Sequence, residues 1–241
     1  MQVQLRHNPS FTVARCHLAP GEPMRVEGGA MLAHSTGVQL QSKAEGGILK
    51  GLKRAALGGE SFFVTTYTAP AQGGWVDVAG VLPGDVVAIP ISPERPFFLG
   101  RSNWIANSHG VQVDTQWGGM ANLFGGEGGF GLRATGQGEA LVSVYGAIDF
   151  FDLEPGQSVT IDTGHVVAYD LHITFRMRQA VEGRMFQSMK TGEGFVFDFT
   201  GPGRVLVQSR NPAAFTQWVA ASTPSQNPQG GIGGLGMFGG D

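Results

Sequence analysis

The sequence is poor in cysteine and in charge. Its 241 residues include a single cysteine, Cys16, which excludes an internal disulfide and a multi-cysteine metal site. We expect Cys16 to be a small buried hydrophobic residue. Charged residues make up 15% of the chain, against an average of about a quarter, while 41% of the residues are hydrophobic. Low charge with ordinary hydrophobicity excludes an intrinsically disordered chain.

Long apolar runs are also missing. No stretch approaches the roughly 18 apolar residues of a membrane-spanning helix, and the alternating residues 1–7 do not begin a signal peptide. We therefore expect a cytoplasmic protein. The formal net charge of −3 provides no overall field that would attract nucleic acid, so we do not expect a nucleic-acid partner.

Glycine is abundant instead. The chain has 39 glycines in 241 residues, more than twice the average share of about 7%. In helix interiors each glycine would cost about 1 kcal/mol relative to alanine. This composition excludes a helical bundle and predicts a turn-rich, all-β protein.

Three sets of markers recur in the same order. Each set has a Pro-Gly turn, a Gly-Glu step that precedes an aromatic strand, and a closing strand. The Gly-Glu steps begin at Gly59, Gly126 and Gly192, so they lie 67 and 66 residues apart. The closing strands are Val76-Asp77-Val78, Val142-Ser143-Val144 and Val205-Leu206-Val207.

These markers predict one β domain of three repeated sandwich-like units, at about 1–80, 81–152 and 153–211. A unit this small would leave about 40% of its unfolded surface exposed, so we expect the three to share a core in a pseudo-threefold arrangement. Short connecting helices are predicted at 47–57, 119–124 and 181–190. A C-terminal helix is predicted at 212–221, with Asn211 as its cap, followed by a flexible glycine-rich tail at 222–241.

Several short motifs in this sequence together resemble a known family. Gly125-Gly126-Glu127-Gly128-Gly129-Phe130, the turn at Pro83-Gly84-Asp85 and the helix entry Asn211-Pro212 are similar to the altered-inheritance-of-mitochondria family, number twenty-four. This is a mitochondrial biogenesis family whose bacterial members have unknown function. The resemblance covers residues 1–221. It implies a fold similar to that of the trp RNA-binding attenuation protein, with ring-like or trimeric assembly, and it supplies no catalytic residue.

No cofactor or metal site is predicted. Residues 126–131 match the dinucleotide fingerprint literally, but a predicted helix precedes them and a strand follows, the reverse of the required order. The histidines lack the close pairing of a metal site on adjoining strands. A small-molecule or metal-binding β-barrel remains an alternative, and it requires a cavity around His165, Asp170 and His172.

Two surface features stand out. Glu60, Glu127 and Glu193 recur at one place in each unit, where we expect structural carboxylates that accept backbone hydrogen bonds; a cation site is the alternative. Residues 48–57 form a basic amphipathic segment whose Lys50, Lys53 and Arg54 could contact an anionic membrane or a protein partner. Such a helix more often covers the end of a sheet.

The leading prediction is a non-enzymatic scaffold or interaction protein that acts as a homo-oligomer, a trimer among the candidates. The chain shows no coherent nucleophile, acid–base or cofactor constellation, although catalytic groups need only be adjacent in space. The alternative is a peripheral membrane-associated organiser that uses the basic segment at 48–57.

Overall fold

The structure is a computed structural model that describes residues 1–44, 63–115, 131–180 and 194–223. Within those ranges it contains nineteen β-strands and one α-helix. The general prediction of an all-β fold with a C-terminal helix is therefore confirmed. The connecting helices predicted at 47–57, 119–124 and 181–190, and the predicted tail from residue 224 onward, lie outside the described residues.

The first set of strands comprises β1 to β7. In chain order they span Gln2–Arg6, Val13–Leu18, Pro23–Glu27, Met31–His34, Gln39–Ala44, Phe63–Thr68 and Gly74–Ala79. Strands β2, β7 and β4 pair in that order, with β1 added beside β2, and strands β5, β6 and β3 pair in a second group. We call the group β2, β7 and β4 the front sheet of the set and the group β5, β6 and β3 its back sheet.

The next two sets have the same pairing order. Strands β8 to β13 span Val86–Ile91, Phe97–Gly100, Trp104–Ser108, Val111–Thr115, Gly131–Gly136 and Gly138–Ser143. Strands β14 to β19 span Ile148–Leu153, Ser158–Asp162, Val166–Asp170, Thr174–Gln179, Phe195–Thr200 and Gly203–Gln208. Their front sheets are β8, β13, β10 and β14, β19, β16, and their back sheets are β11, β12, β9 and β17, β18, β15.

Successive sets are joined by main-chain pairing. Strand β3 of the first back sheet pairs antiparallel with β10 of the second front sheet, and β9 pairs with β16 in the same way. We call these two pairings the joints. They produce four continuous sheets of four, six, six and three strands, and the shortest sheet is the back sheet of the third set.

Side-chain alternation explains the strands and locates the core. In β2, Ala14, Cys16 and Leu18 are buried while Arg15 and His17 point to the other face. Three apolar clusters lie between the sheets, and each contains residues from at least two successive sets. The sets therefore share their cores. Strand β16 is buried at every position, as expected for a strand covered on both faces.

A glycine pair connects the beginnings of the second and third sets. Gly84 and Gly146 form a parallel bridge, and the Gly146 N–H donates to the carbonyl of Pro83 at 3.0 Å. A Cβ at Gly84 would overlap the carbonyl oxygen of Val144, so the close approach requires glycine. The predicted Pro83-Gly84 turn thus has a packing role.

The α-helix, α1, spans Pro212–Ser222 and belongs to a second compact unit that begins at Pro212. Proline suits the first turn of a helix because that turn lacks an internal partner for its N–H groups. The helix has no charged residue, and the rings of Phe215 and Trp218 stack with their centroids 6.3 Å apart. No helix in the described part of the chain is long and apolar enough to cross a membrane.

Candidate interaction surface

The two joints have the same register. At the first joint Ala106 of β10 lies opposite Val26 of β3, and at the second Ala168 of β16 lies opposite Leu99 of β9. Both alanines directly follow a β-bulge in the pairing of their strand with β13 or β19. All four residues are fully buried. A bulge bends and twists its strand, and here it occurs where the back sheet of the preceding set attaches.

Strand β4 has the same bulge, but none of the described back sheets lies beside it. Its register against β7 shifts between Met31 and Ala33, which makes Ala33 the counterpart of Ala106 and Ala168. Strand β4 is the outermost strand of its sheet among the described residues. One edge that is equivalent to the two joints is therefore exposed at the beginning of the chain.

Strand β15 presents the complementary edge at the other end. It is the third-set counterpart of β3 and β9, and within the described ranges it is likewise an outermost strand. Val26 precedes Ala33 by seven residues, Leu99 precedes Ala106 by seven, and Ile161 precedes Ala168 by seven. This constant spacing identifies the residue of β15 that would face a bulge alanine. Ile161 is thus the residue of β15 that corresponds to Val26 and Leu99.

Burial distinguishes the exposed edges from the joints. Leu32 on β4 is 61% exposed, whereas its counterparts Ile105 and Val167 are 2% and 0% exposed. On β15 the residues alternate between exposed and covered, while β9 is buried over Phe97, Phe98 and Leu99. The edge of β4 therefore carries an apolar side chain that the joints cover, whereas the exposed residues of β15 are polar and its Ile161 is already buried.

A charged cluster lies on the same front sheet as Leu32. Asp77 of β7 accepts hydrogen bonds from Arg15 Nε at 2.8 Å, Arg15 Nη2 at 2.9 Å and Arg6 Nη2 at 2.6 Å. The Arg15 guanidinium also lies 3.9 Å from the ring centroid of Trp75. Burial opposes ionisation of Asp77, but the two arginines prevail and hold its pKa below the ordinary value. This carboxylate is only 3% exposed, and its charge is locally balanced.

The position of Asp77 corrects one sequence alignment. Asp77 lies opposite Ala33, as Leu141 lies opposite Ala106 and Leu206 opposite Ala168. The counterpart of Asp77 is therefore Leu141, and not Ser143 as the alignment of the closing strands predicted. A shift of two residues preserves the alternation of faces, so periodicity alone could not detect it. Sequence reasoning missed both Leu32 and Asp77. The spacing of seven residues that ends at Ala33, Ala106 and Ala168 was the available signal for Leu32, whereas Asp77 is placed only by its pairing with β4.

The back sheet that ends in β15 has its own polar network. Asp198 of β18 accepts hydrogen bonds from Thr160 Oγ1 at 2.8 Å, from Arg178 Nε at 2.8 Å and from Arg176 Nη2 at 3.3 Å. The hydrogen bonds from Arg178 and Thr160 keep the pKa of Asp198 well below its ordinary value. Thr160 is exposed and lies on the free edge itself, next to Ile161.

The basic candidates and the three recurring glutamates all lie outside the described residues: Lys50, Lys53, Arg54, Glu60, Glu127 and Glu193. Their predicted roles stay predictions.

The histidine cluster has structural partners. Asp170 is 5% exposed and accepts from Arg95 Nε at 3.0 Å, while its other oxygen lies 3.3 Å from Nδ1 of His172. His165 donates from Nδ1 to the carbonyl of Gln208 at 2.7 Å. In the described part of the chain, no group of three His, Cys, Asp or Glu side chains could hold a metal ion. Cys16 is fully buried, and burial raises the pKa of its thiol to about 12.

Comparisons with known proteins agree with this architecture. A family model described as mitochondrial biogenesis AIM24 matches residues 3–210. An uncharacterized protein of Streptococcus pyogenes serotype M6 is 29% identical over 236 residues, which is 94% of this chain and 93% of that protein. The X-ray crystal structure of a Streptococcus pyogenes protein superposes with a TM-score of 0.76 at 27% identity, covering 92% of this chain and 99% of that one.

Proposed function

We propose that this chain, which belongs to the mitochondrial biogenesis AIM24 family, is a non-catalytic scaffold that acts as a homo-oligomer. The observation that carries the proposal is the pair of exposed edges on β4 and β15. Both repeat the geometry of edges that are joined inside the chain, and the Leu32 side chain beside one of them is 61% exposed. Exposed strand edges are sites where another chain can pair.

The recurring strand order supports the finer organisation that we also propose. Three sets with the same front-sheet and back-sheet pairing are expected for a repeat protein whose units cannot bury their faces alone. A pseudo-threefold arrangement similar to the trp RNA-binding attenuation protein, with ring-like assembly, is part of this proposal. The remaining surfaces would bind protein partners.

The hydrogen-bond partners of the buried and half-buried aspartates favour a scaffold over an enzyme. Asp77 and Asp198 are hydrogen-bonded to arginines, and Asp170 is paired with Arg95. Asp85, which is 9% exposed, accepts from the Thr12 hydroxyl at 2.7 Å. Carboxylates that are already paired in this way serve the fold and are poorly placed for general acid–base work. A cytoplasmic location and a membrane contact through residues 48–57 stay predictions.

Native mass spectrometry of the full chain, over protein concentrations of about 1–100 μM, tests the proposal. We expect an integer multiple of 25.4 kDa, at least a dimer, at the upper concentrations. A protein that remains at 25.4 kDa throughout this range would contradict it. A reproducible excess mass would instead favour the small-molecule or metal-binding alternative.

A further inference from the structure

We propose that copies of this chain associate head to tail, with β4 of one copy pairing antiparallel to β15 of the next. The inference rests on the proposed homo-oligomeric function and names its interface. The occupant of each exposed edge is a second copy of this chain. The contact is heterologous, because each copy contributes a different edge.

The register follows from the two joints. At each joint the bulge alanine of a front sheet lies opposite an apolar residue of the preceding back sheet, as Ala106 does with Val26. Each back-sheet residue of this kind precedes its own bulge alanine by seven positions. The same rule places Ala33 of one copy opposite Ile161 of its neighbour, and His34 opposite Thr160.

These two edges differ from the other exposed edges in the sheets. Strands β5, β11 and β17 are outermost in all three back sheets, and β8 and β14 are outermost in two front sheets. Those edges are therefore a regular feature of the set. Strands β4 and β15 alone among the described strands lack a pairing that their counterparts have.

The counterparts of the exposed leucine each pack in the core of the preceding set. Ile105 packs in the cluster of the first set, and Val167 packs in the cluster of the second. Their counterpart Leu32 would pack in the cluster of the third set of another copy. Phe151, Leu153 and Val207 are only partly buried at that cluster. Covering such side chains is the main favourable contribution to association.

The charged cluster makes this contact weaker than a joint. Asp77 and its arginines replace an apolar position of the front sheet, so less apolar surface is covered than at the internal joints. Arg6 Nε has no hydrogen-bond partner among the described residues, and two arginines share one carboxylate, so covering the cluster carries a desolvation cost. We therefore expect reversible association between copies.

Site-specific cross-linking tests the register. One preparation carries His34→Cys and another carries Thr160→Cys, and the two are mixed and mildly oxidised. Opposed residues of paired strands have Cα atoms about 4.5–5.5 Å apart, within the range of a disulfide. We expect a covalent dimer of twice 25.4 kDa from the mixture. The native Cys16 is buried and should not react.

The matched control replaces Thr160→Cys with Thr174→Cys. Thr174 is also exposed and lies on the same sheet, but β17 is separated from β15 by β18. That places it about 10 Å from the edge, beyond disulfide range. Equal cross-linking in both mixtures would overturn the proposal. So would a double variant, His34→Cys with Thr160→Cys, that links only within single chains.

A second variant does not depend on cysteine chemistry. Leu32→Lys should weaken association about tenfold or more, because a charge would enter the covered surface. Val81→Lys is the control, since Val81 is 91% exposed and lies outside the proposed contact. If oligomers form without the cross-link and survive Leu32→Lys, this interface is wrong while the homo-oligomeric function stands. A monomer in every experiment would remove both.

Discussion

The joint between β9 and β16 and the exposed edge of β4 are the same structural position with different outcomes. At the joint, Phe98 and Tyr169 stack across the strands with ring centroids 4.5 Å apart, and both are buried. At β4, Leu32 is 61% exposed, and Asp77 occupies the place of Leu206. The backbone, including its bulge, is retained, while the side chains change.

This difference shows that one strand geometry occurs both in a covered joint and at an exposed edge. An apolar front sheet remains paired with the back sheet of the preceding set, because separating the two sheets would expose a core to water. A front sheet that carries Asp77 with Arg6 and Arg15 presents a charged face to water, as the polar outer face of a terminal repeat does. The substitution of aspartate for leucine at residue 77 is therefore the feature that most clearly separates the first set from the other two.

The largest expected effect is at the joint. Phe98→Ala removes a ring that is 4% exposed and stacked on Tyr169, and we expect it to lower the free energy of unfolding by about 3–5 kcal/mol. Leu32→Ala, an apolar truncation at the exposed edge, should stay within about 0.5 kcal/mol. Guanidinium denaturation measures both changes in the free energy of unfolding. The protein is kept dilute so that association between copies does not contribute. Equal losses for the two variants would mean that the edge is as well packed as the joint.

A smaller effect is expected at the charged cluster. Asp77→Asn leaves one oxygen where two arginines donate, and it should lower the free energy of unfolding by about 2 kcal/mol. Asp152→Asn is the control, because Asp152 also binds an arginine, Arg204, but is 62% exposed. Its loss should be below about 1 kcal/mol. Thermal or guanidinium unfolding measures both losses. A larger loss for Asp152→Asn than for Asp77→Asn would show that the Asp77 ion pairs are not the more strongly stabilising ones.

The sequence predicted the general fold because its evidence is local. Alternation and Pro-Gly turns indicate strands, and Asn211-Pro212 marks the entry to α1. The joints could not be predicted, since they depend on which distant strands pair and in what register. The alignment of Ser143 with Asp77 failed for that reason. The candidate surface needed the structure too, because the exposure of Leu32 depends on whether another sheet covers it.

The last prediction concerns pH and sharpens the same contrast. The pKa of Asp77 is lowered in the folded protein, while its unfolded value is about 3.9. The folded state thus binds fewer protons than the unfolded state. The stabilisation that the Asp77 carboxylate provides is complete above the unfolded pKa and is lost as the pH falls through the folded pKa. We expect the stability difference between the wild type and Asp77→Asn to be full at pH 7 and to shrink progressively below about pH 4. A series of thermal unfolding curves from pH 7 to pH 2.5 measures it, and a difference that stays constant over that range would show that the Asp77 charge does not stabilise the front sheet.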